Sequence, residues 1–239
     1  MDKYLTEVPP ATITQDNELI MASYRLTTLE KRLLLIGMSK LNPMDFPSKG
    51  QAQKTLKLTA DDWKQAFPDD PKPYRSLRAA TDGMMNRQWR VDRPDGTYVK
   101  HQWVERSTYD PNRGEVELVF TNDTALRLHG MSGNFTSFEL QQIGQLTSFN
   151  QIRLYEMLSR FKDTGKLIIK LDALRDALQL SEKHGRWSIF KRDALDPAIK
   201  LINKQTDMTV VYETTKAMRK IDGLIFHIRM DKQQSLNLD

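Results

Sequence analysis

The 239-residue sequence contains no cysteine. That absence excludes disulfide scaffolds, thiol nucleophiles, cysteine-ligated zinc and iron–sulfur clusters together. Long apolar runs are missing as well. The longest, Leu33-Leu34-Leu35-Ile36-Gly37-Met38, falls far short of the roughly 20 residues that span a bilayer. The start, Met1-Asp2-Lys3-Tyr4, lacks the basic-then-apolar order of a secretory signal, so a cytoplasmic protein with no membrane partner is expected. His101, His129, His184 and His227 are too scattered for metal-ligand spacing, and neither a Walker-type phosphate loop nor a paired-histidine nickase motif occurs. Glu115 and Glu117 alternate on a strand and read as a solvated face; Asp61-Asp62 and Asp69-Asp70 read as helix-start and turn residues. No catalytic residue, metal or cofactor is expected, and the chain reads as a binding protein rather than an enzyme.

What is present suffices for a core: 39% of residues are hydrophobic and 28% charged, in a length that suits one large domain or two small ones. The net charge of +5 is unevenly placed. Residues 150–231 hold 16 Lys/Arg against 11 Asp/Glu, whereas the rest of the chain holds 20 of each. The positive field belongs to the C-terminal part, as suits a module that meets a polyanion, although ordinary scatter produces excesses of this size.

Residues 1–16 are aperiodic and read as a flexible arm. Periodicity begins near Asn17. Thr27 and Glu30 have capping-box spacing, and Leu29, Leu33, Ile36 and Leu41 then recur at helical intervals until Asn42-Pro43 stops the helix. A strand (Thr55-Leu56-Lys57-Leu58), a Thr59-capped helix from Ala60 to Phe67, and a helix from Pro73 to Asn86 with Tyr74, Leu77, Ala80 or Thr81, and Met84 on one face come next. Strands are expected at Gln88–Arg93, Tyr98–Tyr109 and Glu115–Phe120, with turns at Pro94-Asp95-Gly96 and Pro111–Gly114. The second half repeats the order. It has a helix from Phe149 to Phe161 ended by Gly165, a strand Lys166–Lys170, and an Asp172-capped helix Ala173–Leu180. A long helix Arg186–Lys204 and strands Met208–Glu213 and Leu224–Met230 complete it. Lys57-Leu58-Thr59-Ala60 also resembles Lys170-Leu171-Asp172-Ala173, and Met85-Asn86-Arg87-Gln88 resembles Ile202-Asn203-Lys204-Gln205, which points to one duplicated unit.

Short helix, turn, longer helix and hairpin is the order of a winged helix–turn–helix, so the fold class expected is α+β with two such domains in tandem. The units are drawn at 17–130 and 131–231, followed by a tail at 232–239. A helix in the major groove needs one apolar stripe for its own domain and polar or basic residues outward near its start. Trp187, Phe190, Ala194, Ala198 and Leu201 form the expected stripe. Ser188, Lys191 and Arg192 point away from it, and Lys183, His184 and Arg186 lie in the approach. His184 is either a phosphate or groove contact or a plain exposed residue, and Trp187 reads as core rather than as a stacking platform. Lys216, Arg219 and Lys220 fall in the loop of the wing. Asp196-Pro197 predicts a kink or break near Asp196, where Asp as N-cap and Pro at the first helical position suit a restart. In the first unit Lys72, Tyr74, Arg75 and Arg78 occupy the matching helix, weakened as an anion site by Asp69, Asp70 and Asp82.

These residues resemble the iteron-binding plasmid replication initiators, a family of two winged-helix domains. The resemblance rests on Asn17-Glu18-Leu19-Ile20-Met21-Ala22-Ser23-Tyr24-Arg25-Leu26-Thr27 with Glu30-Lys31-Arg32-Leu33-Leu34-Leu35. In the second unit it rests on Arg153-Leu154-Tyr155-Glu156-Met157-Leu158 and on Phe190 to Ala198. It implies a bacterial, plasmid-associated protein that binds origin direct repeats as a monomer in equilibrium with a homodimer. The dimer binds an inverted repeat at its own promoter, and host replication initiation proteins are further partners. It places Lys191 and Arg192 at the base-reading stretch, with Asp193 where some relatives carry another basic residue. It links the leucines of residues 17–41 to association, a role that competes with their being domain core. The alternative function is a tandem winged-helix repressor without a replication role.

Overall fold

The computed structural model describes residues 11–40, 55–93, 95–128, 134–180 and 182–230. The helix stop at Asn42-Pro43, residues 1–10 of the arm and the tail at 232–239 lie outside them. The elements are β1 (Thr12–Asp16), α1 (Asn17–Met21), β2 (Ser23–Tyr24), α2 (Thr28–Lys40), β3 (Thr55–Thr59), α3 (Ala60–Ala66), α4 (Pro73–Met84), β4 (Gln88–Asp92), β5 (Tyr98–Gln102), β6 (Val104–Asp110), β7 (Glu115–Phe120), α5 (Asn122–Leu128), β8 (Phe135–Glu139), α6 (Leu140–Gly144), α7 (Phe149–Ser159), β9 (Lys166–Lys170), α8 (Leu171–Ala177), α9 (Trp187–Phe190), α10 (Asp196–Gln205), β10 (Met208–Ala217) and β11 (Lys220–Met230).

Two units of one design emerge. In the first, α2, β3, α3, α4 and the β6–β7 hairpin follow in order, and the sheet runs β3-β7-β6. In the second, α7, β9, α8, α9 to α10 and the β10–β11 hairpin follow, and the sheet runs β10-β11-β9. In each, the last strand lies between the other two, as a winged helix requires. The duplication holds for element order but not for the matched tetrapeptides. The helix α3 begins just after Thr59, whereas α8 begins just before Asp172; α4 ends before Met85, whereas α10 runs through all of Ile202 to Gln205.

Local signals explain most of the elements. The Thr27–Glu30 capping box forms, with Glu30 N–H donating to Thr27 Oγ1 at 3.2 Å and Thr27 N–H to Glu30 Oε2 at 2.7 Å. Thr59 caps α3 reciprocally with Asp62. Asp172, by contrast, is not a cap: α8 starts from Lys170, which makes no side-chain capping bond. The expected strand Tyr98–Tyr109 is broken at Trp103. Fully buried, Trp103 turns the chain from β5, which pairs with β4, to β6, which pairs with β7.

Residues 12–16, read as part of a loose arm, are instead a strand. Antiparallel pairing of β1 with β8 buries Ile13, Gln15 and Asp16 and crosses the boundary drawn at residue 130. The leucine-rich α2 is mostly core: Leu33, Leu34, Leu35, Ile36 and Met38 are buried and Leu29 is half-buried, while Leu41 lies outside the described residues.

The units meet on buried charge. Arg153 of α7 donates to Tyr24 Oη at 2.7 Å, to Glu156 at 3.1 Å and to the carbonyls of Ile20 and Ala22 at 2.7 and 3.1 Å. Lys31 Nζ lies 2.6 Å from Glu156 Oε1 and donates to Tyr24 Oη at 3.0 Å. Arg153, Lys31 and Glu156 are all fully buried. Residues 17–27, 30–35 and 153–158, three of the segments that carry the family resemblance, therefore converge on one network.

Candidate DNA interface

The second unit positions its basic helix through α8. Arg175 reaches from α8 to the Gly185 carbonyl at 2.7 Å and to Asp172 at 3.1 Å, and its guanidinium lies over the Phe190 ring at 5.6 Å. It ties the first helix to the 3-10 turn Glu182–Gly185 and to the start of α9. Sequence reasoning passed over Arg175; only its spacing to Asp172 gave a signal.

Between α9 and α10 the chain makes a π-helical turn, Lys191–Leu195. The interruption expected near Asp196 is present, but as this wider turn and not as a break capped by Asp196. Asp196 is helical (φ −60°, ψ −43°), and its N–H donates to the Lys191 carbonyl five residues back. Proline in an α-helix removes one hydrogen bond and drives its ring into the carbonyl four residues earlier. The wider turn accommodates Pro197 without ending the helix. It also shifts the apolar stripe. Phe190, Leu195, Ala198, Ile199 and Ile202 are buried, whereas Trp187, Ala194 and Leu201 are only half-buried. The five-residue step from Phe190 to Leu195 fits the π turn and defeats a 3.6-residue count.

Asp196 does not cap either. Its carboxylate accepts from Lys191 Nζ at 2.5 Å and from Tyr212 Oη at 2.6 Å, binding the helix to β10. Partial burial pushes the Asp196 carboxyl up, but the bonds from Lys191 and Tyr212 outweigh it and hold it below the ordinary range. The same bond to Asp196 raises the Lys191 ammonium. Lys191 is thus a half-buried cation paired with Asp196. Arg192 is exposed and gripped by its neighbour: Nε lies 2.6 Å from Asp193 Oδ1 and Nη2 3.0 Å from Oδ2. This fork is the one a guanine O6/N7 edge would take, so Asp193 competes with a base for it. Arg186 and Ser188 are exposed at the start of α9, His184 is half-buried in the preceding turn, and Lys183 lies in that turn.

The wing is longer than the strand pattern suggests. Lys216 ends in β10 and Lys220 begins β11, so the turn is only Met218-Arg219, and Lys216, Arg219 and Lys220 are exposed around it. In the first unit Lys72, just before α4, and Arg75 and Arg78 on it are exposed, as is Tyr74, which does not join the buried face of Leu77, Ala80, Thr81 and Met84. Tyr74 packs edge-on against Tyr109 at 5.6 Å, Arg78 lies over the Tyr109 ring at 5.3 Å, and Arg78 pairs with Asp82 at 3.8 Å. Asp70 is committed elsewhere, accepting from Trp63 Nε1 at 2.8 Å. The structure therefore gathers Arg186, Ser188, Lys191 and Arg192 on one helix and Lys216, Arg219 and Lys220 on the hairpin of the same unit. The α4 group belongs to the other unit. A further basic feature was missed: exposed Tyr98 on β5, with Arg90 and Lys100 at 4.5 and 5.6 Å from its ring.

Among the described residues no group of three or more His, Asp or Glu side chains is placed to hold a metal ion. Glu115 and Glu117 face Lys57 and Arg106 across the sheet, with Glu117 3.5 Å from Lys57 and 3.1 Å from Arg106. No helix among them is long and apolar enough to cross a membrane.

Comparison with known proteins agrees with this architecture. Residues 12–159 match the family described as Initiator Replication protein, WH1, and residues 170–228 match Initiator Rep protein, WH2. A "Replication initiation protein" of Escherichia coli is 26% identical over 229 residues, covering 92% of this chain and 70% of that protein. An "Uncharacterized 27.6 kDa protein" of Escherichia coli is 27% identical over 224 residues, covering 89% and 92%. The crystal structure of Pi initiator protein in complex with iteron DNA superposes with a TM-score of 0.77 at 22% identity, covering 94% of this chain and 99% of that one. The chain belongs to the initiator replication protein family and carries both of its winged-helix domains.

Proposed function

We propose that this protein is a plasmid replication initiator that binds short direct repeats, iterons, in double-stranded origin DNA as a monomer. Bases are read mainly by the helix starting at Trp187, through Arg186, Ser188 and Arg192. Lys216, Arg219 and Lys220 hold flanking phosphates, and Lys72, Arg75 and Arg78 of the first unit add backbone contacts. The observation that carries this reading is the exposed polar and basic face at the start of a helix whose opposite face closes a winged-helix core, in a chain of the initiator family. The match to a Pi initiator solved on iteron DNA supports the same partner.

Monomers on adjacent repeats gain local concentration without new contacts, and strain in the neighbouring AT-rich duplex gives host initiation proteins their entry. In the same proposal a homodimer withdraws monomers and represses the gene's own promoter, and the chain acts in the cytoplasm by binding, with no catalytic step of its own. Selection from a random duplex pool tests the core. Recurring direct repeats support an initiator, and an isolated palindrome alone favours a repressor. On the selected site, contact with six to eight phosphates gives a log–log salt slope of roughly −5 to −7; affinity indifferent to salt refutes the interface.

A further inference from the structure

The β10–β11 hairpin outruns the sheet that supports it. Pairing of β9 with β11 spans only Gly223 to His227, so residues 216–222 continue as a two-stranded ribbon. At about 3.3 Å per residue, the Met218-Arg219 turn stands roughly 10 Å beyond the last three-stranded row. The root of the ribbon is tightly built. A Cβ on Gly223 would stand 2.7 Å from Thr215 Oγ1 and 2.9 Å from the Ile169 carbonyl, so only glycine lets the three strands close there. Thr215 donates to Asp222 at 2.9 Å, and a register shift between Thr215 and Lys216 adds twist just above the root.

The tip breaks two rules at once. Met218 is fully exposed, and it adopts φ +55°, in the left-handed region that hairpin turns usually fill with glycine or asparagine. A side chain wholly in water contributes nothing to the core, and at the tip of the ribbon it stands open to a partner. Cations surround it. Lys216 lies across from Ile221 and Lys220 across from Ala217, which puts the two lysines on opposite faces of the ribbon, with Arg219 beside Met218 in the turn. No acidic residue intervenes between Glu213 and Asp222.

We propose that Met218 is a wedge for duplex DNA: the wing enters the minor groove beside the helix-read bases and seats the thioether at a base step. This rests on the DNA reading above and adds a specificity-determining residue to it. The minor groove is only about 6 Å wide, so cations on both faces of an entering ribbon lie next to both phosphate strands. An unbranched, polarizable side chain slips between partly unstacked bases, a use that minor-groove proteins make of methionine. The steps that open most readily are TA and CA/TG, so the wing selects one of these half a helical turn, about 5 bp, from the major-groove core.

The test selects duplexes from a random pool with the full-length chain and with Met218→Ala and Met218→Leu, surface changes that leave the core untouched. The wild type and Met218→Leu recover a core motif with a flexible step about 5 bp to one side. Met218→Ala recovers the core without the step, and it binds the wild-type-selected duplex about fivefold more weakly. 2-Aminopurine placed at the step brightens on binding wild type and stays dark with Met218→Ala. Identical flanks and affinities for wild type and Met218→Ala, or no brightening with wild type, overturn the wedge and leave the DNA reading standing. A wild type that selects no motif overturns both.

Discussion

Glu156 is the buried anion of the network that joins α2 and α7. It sits fully buried between Lys31 at 2.6 Å and Arg153 at 3.1 Å, so two cations share one carboxylate. Glu156→Gln keeps the shape and removes the only negative charge in that network. Breaking a buried ion pair from one side costs about 3–5 kcal/mol, because the stranded partner stays desolvated. Against a total stability of roughly 5–15 kcal/mol that is a large fraction. At about 2–4 °C per kcal/mol for a chain of this size, the expected fall in melting temperature is about 6–20 °C. Lys31→Met is different. It leaves Arg153 and Glu156 as a neutral pair and strips one acceptor of its partner, for about 1–2 kcal/mol. The decisive measurement is a double-mutant cycle by urea denaturation. In the Glu156→Gln background, Lys31→Met should restore stability, because it removes one of two uncompensated cations. If Lys31→Met destabilises equally in both backgrounds, the charge-imbalance argument is wrong.

Other perturbations bear on the caps, the helix and the interface. Thr59→Ala removes the acceptor for the Asp62 N–H at 3.2 Å and should cost about 1 kcal/mol in a chemical melt, with the urea m-value unchanged. Asp193→Ala frees the Arg192 fork and removes a negative charge from the reading face; filter binding should show affinity for unselected duplex rising about two- to fivefold. Unchanged binding would mean that the Asp193 contact does not compete with DNA. Asp196, held below its ordinary range by Lys191 and Tyr212, contributes stability that is complete above about pH 4 and lost as pH falls through its lowered folded value. Thermal melts from pH 6 down to pH 2 should therefore fall more steeply for wild type than for Asp196→Asn; parallel curves would remove Asp196 from the pH response.

The sequence alone determined the order of the main helices and hairpins within each unit, because that order is written in short-range chemistry. Thr27 with Glu30, Thr59 with Asp62, and the apolar face of Leu77, Ala80, Thr81 and Met84 each specify a start or a side within a few residues. Basic residues clustered at one helix and one hairpin were legible for the same reason. The tertiary structure decided what depends on partners distant in the chain. Residues 12–16 become a strand only because residues 135–139 pair with them, more than a hundred positions away. The π turn from Lys191 to Leu195 keeps Phe190 and Leu195 on one buried face, which no 3.6-residue count anticipates. Lys191 changes from a free cation to a paired one because Tyr212, on another strand, helps fix Asp196 beneath it. Sequence pattern reports periodicity and caps, which are local; charge pairing and strand partnership are settled only when the chain closes on itself.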